Sequence, residues 1–312
     1  MTDRASVLLD FERPILIDGG LATQCEAMGC DINHPLWSAK LLLENPQALV
    51  DAARAYLDAG AEIIATASYQ ASRQGLMAEG LSADEADGVL LKSVQLAIQA
   101  RDEFLVDNPG IDYVPLIAAS IGPWGAIRHD GSEYTGEYDT TREELLAFHC
   151  QRIAVLDDSD ADLLACETIP AIEEAGVLKE VLDNVRHPAW VSFCCRDDSC
   201  ISDGTRIEEA AGLFTGHPRV FAVGVNCTAP RHITTLIGRI RQAAPGKRVV
   251  AYPNSGETYR AADGSWHGSM EAVDWGEAAQ EWLAAGATIV GGCCRMGPAH
   301  IGAMAASGAF TR

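Results

Sequence analysis

Eight short apolar runs recur along the chain, and each is separated from the next by a stretch with helical periodicity. They cover residues 14–17, 62–66, 114–120, 162–166, 189–194, 220–225, 248–252 and 287–290. Most are continuously apolar rather than alternating. That is the pattern of parallel strands covered on both faces, because an antiparallel strand with one wet face shows a period of two. Helical periodicity fills the gaps at 46–59, 82–104, 141–156, 172–184, 207–214, 232–243 and from about 269 to 285, with a further helical stretch around 36–42. Ser82 is a candidate N-cap, followed by acidic residues in the first turn. Two long polar segments, 124–138 and 253–269, read as loops. No linker or shift in composition divides the 312 residues. One α/β domain over 1–312, a (β/α)8 barrel, is the economical architecture; a doubly wound open sheet is the runner-up.

In such a barrel the chemistry lies at the C-terminal ends of the strands, on the loops that lead into the helices. Those ends carry Asp18, Thr66, Ser120, Glu167, Cys227, Asn254 and the pair Cys293-Cys294. Polar and metal-ligating residue types therefore collect at one face.

The cysteines are the sharpest part of that pattern. Gly291-Gly292-Cys293-Cys294-Arg295 follows the last apolar run, and Cys227 ends the sixth. Successive strand residues face opposite ways, so both sulfurs of an adjacent pair reach one point only if the strand ends or bulges there. The two glycines are expected to permit that break. Three thiolates from two strand ends would then make an open zinc site, with three protein ligands and one free position. Buried structural cysteines are an equal reading from spacing alone, since no CxxC pair is present. A vicinal disulfide is disfavoured by strain. Cys194-Cys195-Arg196 repeats the same tripeptide at the end of the fifth run without preceding glycines, and it reads as packing.

Composition removes other classes. A net charge of −21 repels nucleic acid and anionic membrane surfaces. No run approaches the roughly 18 apolar residues of a membrane helix, and the polar start Met1-Thr2-Asp3-Arg4 lacks a signal-peptide core. A cytoplasmic location is expected. Ten cysteines in a chain of this length do not suggest a disulfide scaffold.

Several stretches together resemble the homocysteine S-methyltransferase family. They are Asp18-Gly19-Gly20-Leu21-Ala22-Thr23, Pro35-Leu36-Trp37-Ser38-Ala39 and Ala65-Thr66-Ala67-Ser68-Tyr69-Gln70. Ser120-Ile121-Gly122-Pro123, Asp130-Gly131-Ser132-Glu133-Tyr134 and Ala165-Cys166-Glu167-Thr168-Ile169-Pro170 continue the likeness. Gly224-Val225-Asn226-Cys227 and Gly291-Gly292-Cys293-Cys294-Arg295 complete it. The similarity is greatest to the branch that uses S-methylmethionine or S-adenosylmethionine. Trp124 departs from the family pattern, which has Tyr after Gly-Pro, and Asp160 stands where a Gly is common. The resemblance implies a zinc-bearing (β/α)8 barrel that methylates homocysteine to methionine. It implies Cys227, Cys293 and Cys294 as zinc ligands and catalytic residues. Glu167 and Asp18 would hold the substrate ammonium, backbone N–H groups around Gly19 and Gly20 its carboxylate, and Asn226 would position. Betaine as donor, or selenocysteine as acceptor, are the alternatives within the fold. A non-catalytic zinc-stabilised barrel is the alternative of another class.

The residues support that reading by their chemistry. An amino-acid substrate needs an acid for its ammonium and donors for its carboxylate. The expected reaction is in-line displacement of a neutral thioether from a sulfonium by a thiolate, which needs no general base on the donor side. A sulfonium is attracted to acids and to aromatic faces; Tyr69, Trp124 and Tyr134 are candidates, with ordinary packing or loop anchoring the competing reading for each. The loops 124–138 and 253–269 are expected to close over the substrates. The short segment after the last strand favours a monomer.

Overall fold

The computed structural model describes residues 13–32, 39–128, 130–260, 265–268 and 273–310. The stretch 35–38 of the resemblance and parts of the segment 253–269 lie outside them.

Eight strands form one parallel sheet: β1 (Ile15–Leu16), β2 (Ile63–Ala65), β3 (Leu116–Ile121), β4 (Leu163–Ile169), β5 (Ala189–Phe193), β6 (Val220–Asn226), β7 (Arg248–Tyr252) and β8 (Ile289–Val290). Each pairs with its sequence neighbours in turn, β8 pairs with β1 through Ile15↔Ile289 and Leu16↔Val290, and a parallel bridge Ile17↔Ile63 joins β1 to β2. The sheet is therefore closed, and the open-sheet alternative falls.

Helices α1 (Leu21–Ala27), α2 (Ala39–Glu44), α3 (Pro46–Asp58), α4 (Arg73–Ala78), α5 (Ala83–Asp107) and α6 (Arg142–Asp157) surround the first half. Helices α7 (Ile172–Leu182), α8 (Ile207–Gly212), α9 (Pro230–Ala243), α10 (Trp275–Ala285) and α11 (Pro298–Ala306) surround the second. Ser82 caps α5 as expected: its hydroxyl accepts the Glu85 N–H while Glu85 accepts the Ser82 N–H at 2.8 Å. Thr141 and Glu144 repeat this box at α6. The segment 124–138 holds two 3-10 turns, Trp124–Ile127 and Ser132–Tyr134, and a two-stranded hairpin pairs Thr258–Arg260 with Ser265–His267.

The apolar runs divide by alternation into two layers. Ile15, Ile63, Leu116, Ala118, Leu163, Ala165, Trp190, Ala222, Val250, Tyr252 and Ile289 fill the barrel interior. Their strand neighbours, among them Leu16, Ile64, Ile117, Ala119, Leu164, Val191, Val223 and Val249, pack outward against the helices. Trp190 occupies the middle of the barrel among alanines of three strands, large against small, which is how a barrel this size is filled. Above that plug, at the C-terminal strand ends, the interior turns polar.

Candidate metal centre and substrate pocket

The three predicted cysteines meet. Cys227 Sγ lies 3.4 Å from Cys294 Sγ, Cys294 Sγ lies 4.0 Å from Cys293 Sγ, and all three sulfurs fall within 4.8 Å of one another. Cys227 is buried, whereas Cys293 and Cys294 are partly exposed toward a cavity.

Local backbone structure brings this about. β6 ends at Asn226, and Cys227 takes a left-handed φ of 48°. Its amide donates to Tyr252 O at 3.1 Å, and its carbonyl accepts from Asn254 Nδ2 at 3.3 Å. β8 ends at Val290, and a turn carries Cys293 and Cys294. The Cys293 amide donates to Pro253 O at 2.7 Å, the Ser255 amide donates to Cys294 O at 3.3 Å, and Arg295 closes the turn at φ 67°. The glycines work differently from expectation. Neither Gly291 nor Gly292 has positive φ. They are needed for close approach: a Cβ on Gly291 would lie 2.4 Å from Ile17 Cγ1 and 2.6 Å from Ile17 O, and one on Gly292 would lie 2.6 Å from Met296 Cβ. Among the described residues only Thr168, Cys227 and Arg295 are non-glycine with positive φ, and all three border the sulfurs or the cavity. Strain gathered in this way is characteristic of functional sites.

β4 supplies the acid. Its pairing with β5 shifts register between Cys166 and Ile169, a bulge that re-aims Glu167. Asn226 secures it: its Oδ1 accepts the Thr168 N–H at 2.7 Å and its Nδ2 donates to Thr168 Oγ1 at 2.7 Å. The same Nδ2 is 3.7 Å from Cys293 Sγ, so one side chain ties the bulge to the sulfur cluster. Glu167 accepts from the Ser120 hydroxyl and from Tyr252 OH at 3.0 Å. Asp18 accepts the Ala65 N–H at 2.7 Å. Both carboxylates face the same cavity.

The charges are unbalanced. Burial pushes Glu167 up to about 7, and the Cys293 sulfur adds to this against the bonds from Ser120 and Tyr252. Burial likewise pushes Asp18 well up, with Glu167 and Cys293 contributing and the Ala65 N–H opposing. Two buried acids facing one cavity call for a cation. At the cysteines, hydrogen bonds from Cys227 and then Cys293 hold the Cys294 thiol well below the ordinary range. Cys227 is driven well above it by its bonds with Cys293 and Cys294 and by burial. Three sulfurs this close hold one negative charge readily and three only around a cation, so the donor set fits a soft divalent metal.

The cavity is lined at the strand ends by Asp18, Thr66, Ser120, Glu167, Cys227, Cys293 and Cys294, all of them positions expected there. Asn254 instead holds the Cys227 carbonyl. Of the aromatic candidates, Tyr69 and Tyr134 line the cavity, and Tyr134 OH is 3.9 Å from both Cys227 and Cys294 Sγ. Trp124 does not line it; its ring packs edge-on to Phe148 at 5.1 Å. The Gly20 amide is also committed elsewhere, donating to Met296 O at 2.9 Å. The first-turn amides of α1 beside it have no intrahelical acceptor, and Gly20 gives that helix no side-chain cap. Tyr252 and Trp266 were not anticipated. Tyr252 ends β7 inside the barrel, where a buried phenol requires a partner, and that requirement was the available signal.

A closed (β/α)8 barrel with clustered cysteine sulfurs beside buried carboxylates defines a class of enzyme with a candidate thiolate metal centre. Residues 15–307 match the family model described as homocysteine S-methyltransferase. The chain is 42% identical over 302 residues to homocysteine S-methyltransferase YbgG of Bacillus subtilis, covering 96% of each. It superposes on the metallated form of the Escherichia coli homocysteine methyltransferase MmuM with a TM-score of 0.86 at 40% identity, over 96% of this chain and 98% of that one. With the apo form of MmuM the TM-score is 0.77 at 36% identity, over the same shares. The chain belongs to the homocysteine S-methyltransferase family.

Proposed function

We propose that this chain transfers a methyl group from a sulfonium donor, S-methylmethionine or S-adenosylmethionine, to the thiol of L-homocysteine, giving methionine, with Zn²⁺ held by Cys227, Cys293 and Cys294. The observation that carries the reading is the meeting of three sulfurs within 4.8 Å at a cavity that also holds two buried carboxylates. When bound, zinc would supply an open position at which a substrate thiol is kept ionised yet nucleophilic.

The chain's own residues do the rest. Glu167 and Asp18 take the homocysteine ammonium, whose charge favours their ionised forms. The first-turn amides of α1, next to Gly19 and Gly20, take its carboxylate. Tyr252 and Ser120 orient Glu167, and Asn226 keeps the Glu167 bulge in register with Cys293. Tyr69, Tyr134 and Trp266 give the cationic donor aromatic neighbours. The substrate sulfur attacks the methyl carbon as the donor carbon–sulfur bond breaks, and the electron pair leaves on a neutral thioether. No proton is moved on the donor side. Alignment within the cavity supplies much of the rate.

All ten cysteines are free thiols, which suits a reducing cytoplasm. Every residue in this scheme comes from one chain, so a monomer suffices. Among the described residues no helix is long and apolar enough to cross a membrane.

The test is a donor panel with homocysteine, comparing S-methylmethionine, S-adenosylmethionine and betaine, run beside Glu167→Ala. Methionine should form with a sulfonium donor. The variant should keep its metal and lose homocysteine affinity. Absence of methionine with every donor would sink the activity, and unchanged homocysteine affinity would remove the role given to Glu167.

A further inference from the structure

Glu174 sits in the first turn of α7, fully buried, and has no part in the scheme above. Its Oε1 accepts the Trp124 backbone N–H at 2.6 Å and lies 2.8 Å from His149 Nε2; its Oε2 accepts from Tyr138 OH at 2.8 Å. With the carboxylate accepting, His149 donates through Nε2. A negative charge here also suits the N-terminal end of α7.

The partners are informative. Trp124 begins the segment 124–138 and Tyr138 ends it. One carboxylate thus fastens both ends of a fifteen-residue excursion (124 through 138), and His149 fastens the carboxylate from α6. The Trp124 ring leans edge-on against Phe148 at 5.1 Å, and Phe148 leans against His149 at 4.9 Å. Within the segment a Cβ on Gly125 would lie 2.4 Å from Glu133 N, so the two 3-10 turns press together. Within it, Tyr134 OH stands 3.9 Å from the Cys227 and Cys294 sulfurs. Pinned near both ends, the excursion would serve as a preset surface over the sulfurs, an alternative to the expected closure of 124–138.

We infer that Glu174 is a positioning residue for methyl transfer: by clamping Trp124 and Tyr138 it holds Tyr134 over the sulfur cluster, on the path by which the methyl donor reaches the thiol. The inference rests on the methyl-transfer reading. A loop released from the clamp would still leave Asp18, Glu167 and Cys293 their bonds, and Cys227 and Cys294 would lose only the 3.9 Å approach of Tyr134, since their backbones are held by Tyr252, Asn254 and Ser255. Metal binding and homocysteine binding should therefore survive, while alignment with the donor should not.

The test uses Glu174→Leu, Glu174→Gln, Tyr134→Phe and the Leu/Phe double variant of the full-length metal-loaded enzyme. For Glu174→Leu the metal content and the homocysteine affinity should match wild type. Its kcat/KM for the sulfonium donor should fall about tenfold or more, the size expected of a reacting group misplaced by under an ångström or so. Glu174→Gln keeps an acceptor for Trp124 and a polar partner for Tyr138, and should restore most of the loss. Adding Tyr134→Phe to Glu174→Leu should cost less than it does alone, because the two act through one hydroxyl. Parallel loss of metal, homocysteine and donor would mean that Glu174 merely holds the fold, and fully additive losses would mean that it does not act through Tyr134. Either result overturns the inference, as does normal donor kinetics in Glu174→Leu. Should the Leu variant fail to fold, Tyr138→Phe removes one of the three bonds at a half-buried site. It must then show the same split between donor and homocysteine on a smaller scale, and a Tyr138→Phe enzyme with unchanged donor kinetics overturns the inference. Wild-type protein that makes no methionine overturns the functional reading and this inference with it. Active wild type with an unaffected Glu174→Leu overturns this inference alone.

Discussion

The tripeptide Cys-Cys-Arg follows both β5 and β8, and its two copies sit in contrasting surroundings. After β5 the chain stays extended. The Cys194 amide donates to Ile169 O at 3.2 Å, and Cys195 bridges to Ile201. The side chains consequently diverge. Cys195 joins the layer between strands and helices, while Cys194 Sγ turns to Cys227 O at 3.5 Å. Burial pushes the Cys194 thiol up to about 12 and the Cys195 thiol well above its usual range, so both are neutral at physiological pH. After β8 the chain stops being a strand, and both sulfurs fall on the side of Cys227. Residue identity decides what a side chain is able to ligate; the path of the backbone past the strand decides whether two neighbours can ligate together.

The sharpest way to break this comparison is to remove one sulfur from each copy. Cys294→Ala should lose the metal and reduce methyl transfer by more than about 100-fold, beyond what loss of an outer partner of a metal ligand costs. Cys194→Ala should keep both, at a cost of about 1 kcal/mol for the small cavity. Metal analysis and turnover on the two purified variants decide it. Acid extends the test. Thiolates must be deprotonated to hold a metal, so metal should be released as the pH falls. A thiol that is already neutral has no part in that release, so Cys194→Ala should leave the release curve where it is. If Cys194→Ala loses metal as fully as Cys294→Ala, the assignment of three ligands fails.

A second variant addresses the glycines that only one copy possesses. Gly291→Ala puts a methyl group 2.6 Å from Ile17 O and 2.8 Å from Asp18 O, both backbone atoms at the seam between β1 and β8. Overpacking of this kind should cost about 2–3 kcal/mol in chemical denaturation. It should also weaken the metal site, because the turn that carries Cys293 would have to move. Wild-type stability in Gly291→Ala would mean that the seam can open freely, and the close-approach account of the glycine would fall.

What could be read from the sequence follows the same division. The strands were legible because a parallel strand covered on both faces leaves a continuous apolar run, and strand order in a barrel then brings the ends of β6 and β8 to one face. Cys227, Cys293, Cys294, Glu167 and Asp18 were accessible by that route. Features that depend on how backbone meets backbone were not. The bulge at Glu167–Thr168 and the left-handed Cys227 leave no pattern of residue types. The commitment of the Gly20 amide to Met296 O depends on a contact across the barrel seam. Helix α11 escaped for another reason: Pro-Ala-His-Ile-Gly-Ala-Met-Ala-Ala is nearly all small and apolar, so it has no polar face to mark a period. For Trp124 the sequence left packing and a place at the donor side both open, because an aromatic residue near a motif says nothing of which way its ring turns, and the ring packs on Phe148.

The smallest expected effect lies in the arginines that end the two copies. Arg295 has φ 67°, a conformation that costs a residue bearing a Cβ roughly 1 kcal/mol and glycine almost nothing. Its side chain is 38% exposed and meets Glu257 at 3.2 Å and Glu26 at 4.0 Å, ion pairs of the kind worth well under about 1 kcal/mol each. The hydrogen bond its backbone N–H donates to Thr23 Oγ1 at 2.9 Å does not depend on its side chain. Relief of strain should therefore roughly offset the lost side-chain contacts and the freer unfolded chain, and Arg295→Gly should leave the midpoint of unfolding about unchanged. Arg196 has no positive φ and its ion pair with Asp197 at 3.4 Å is exposed, so Arg196→Gly acts chiefly by freeing the unfolded chain and should lower stability by about 0.5–1 kcal/mol. A loss in Arg196→Gly with none in Arg295→Gly, in paired denaturation curves, would locate the difference between the two tripeptides in the left-handed turn after the second cysteine. Equal losses would show that the turn is not what separates them, and would leave close packing at Gly291 and Gly292 to account for the convergence of the sulfurs.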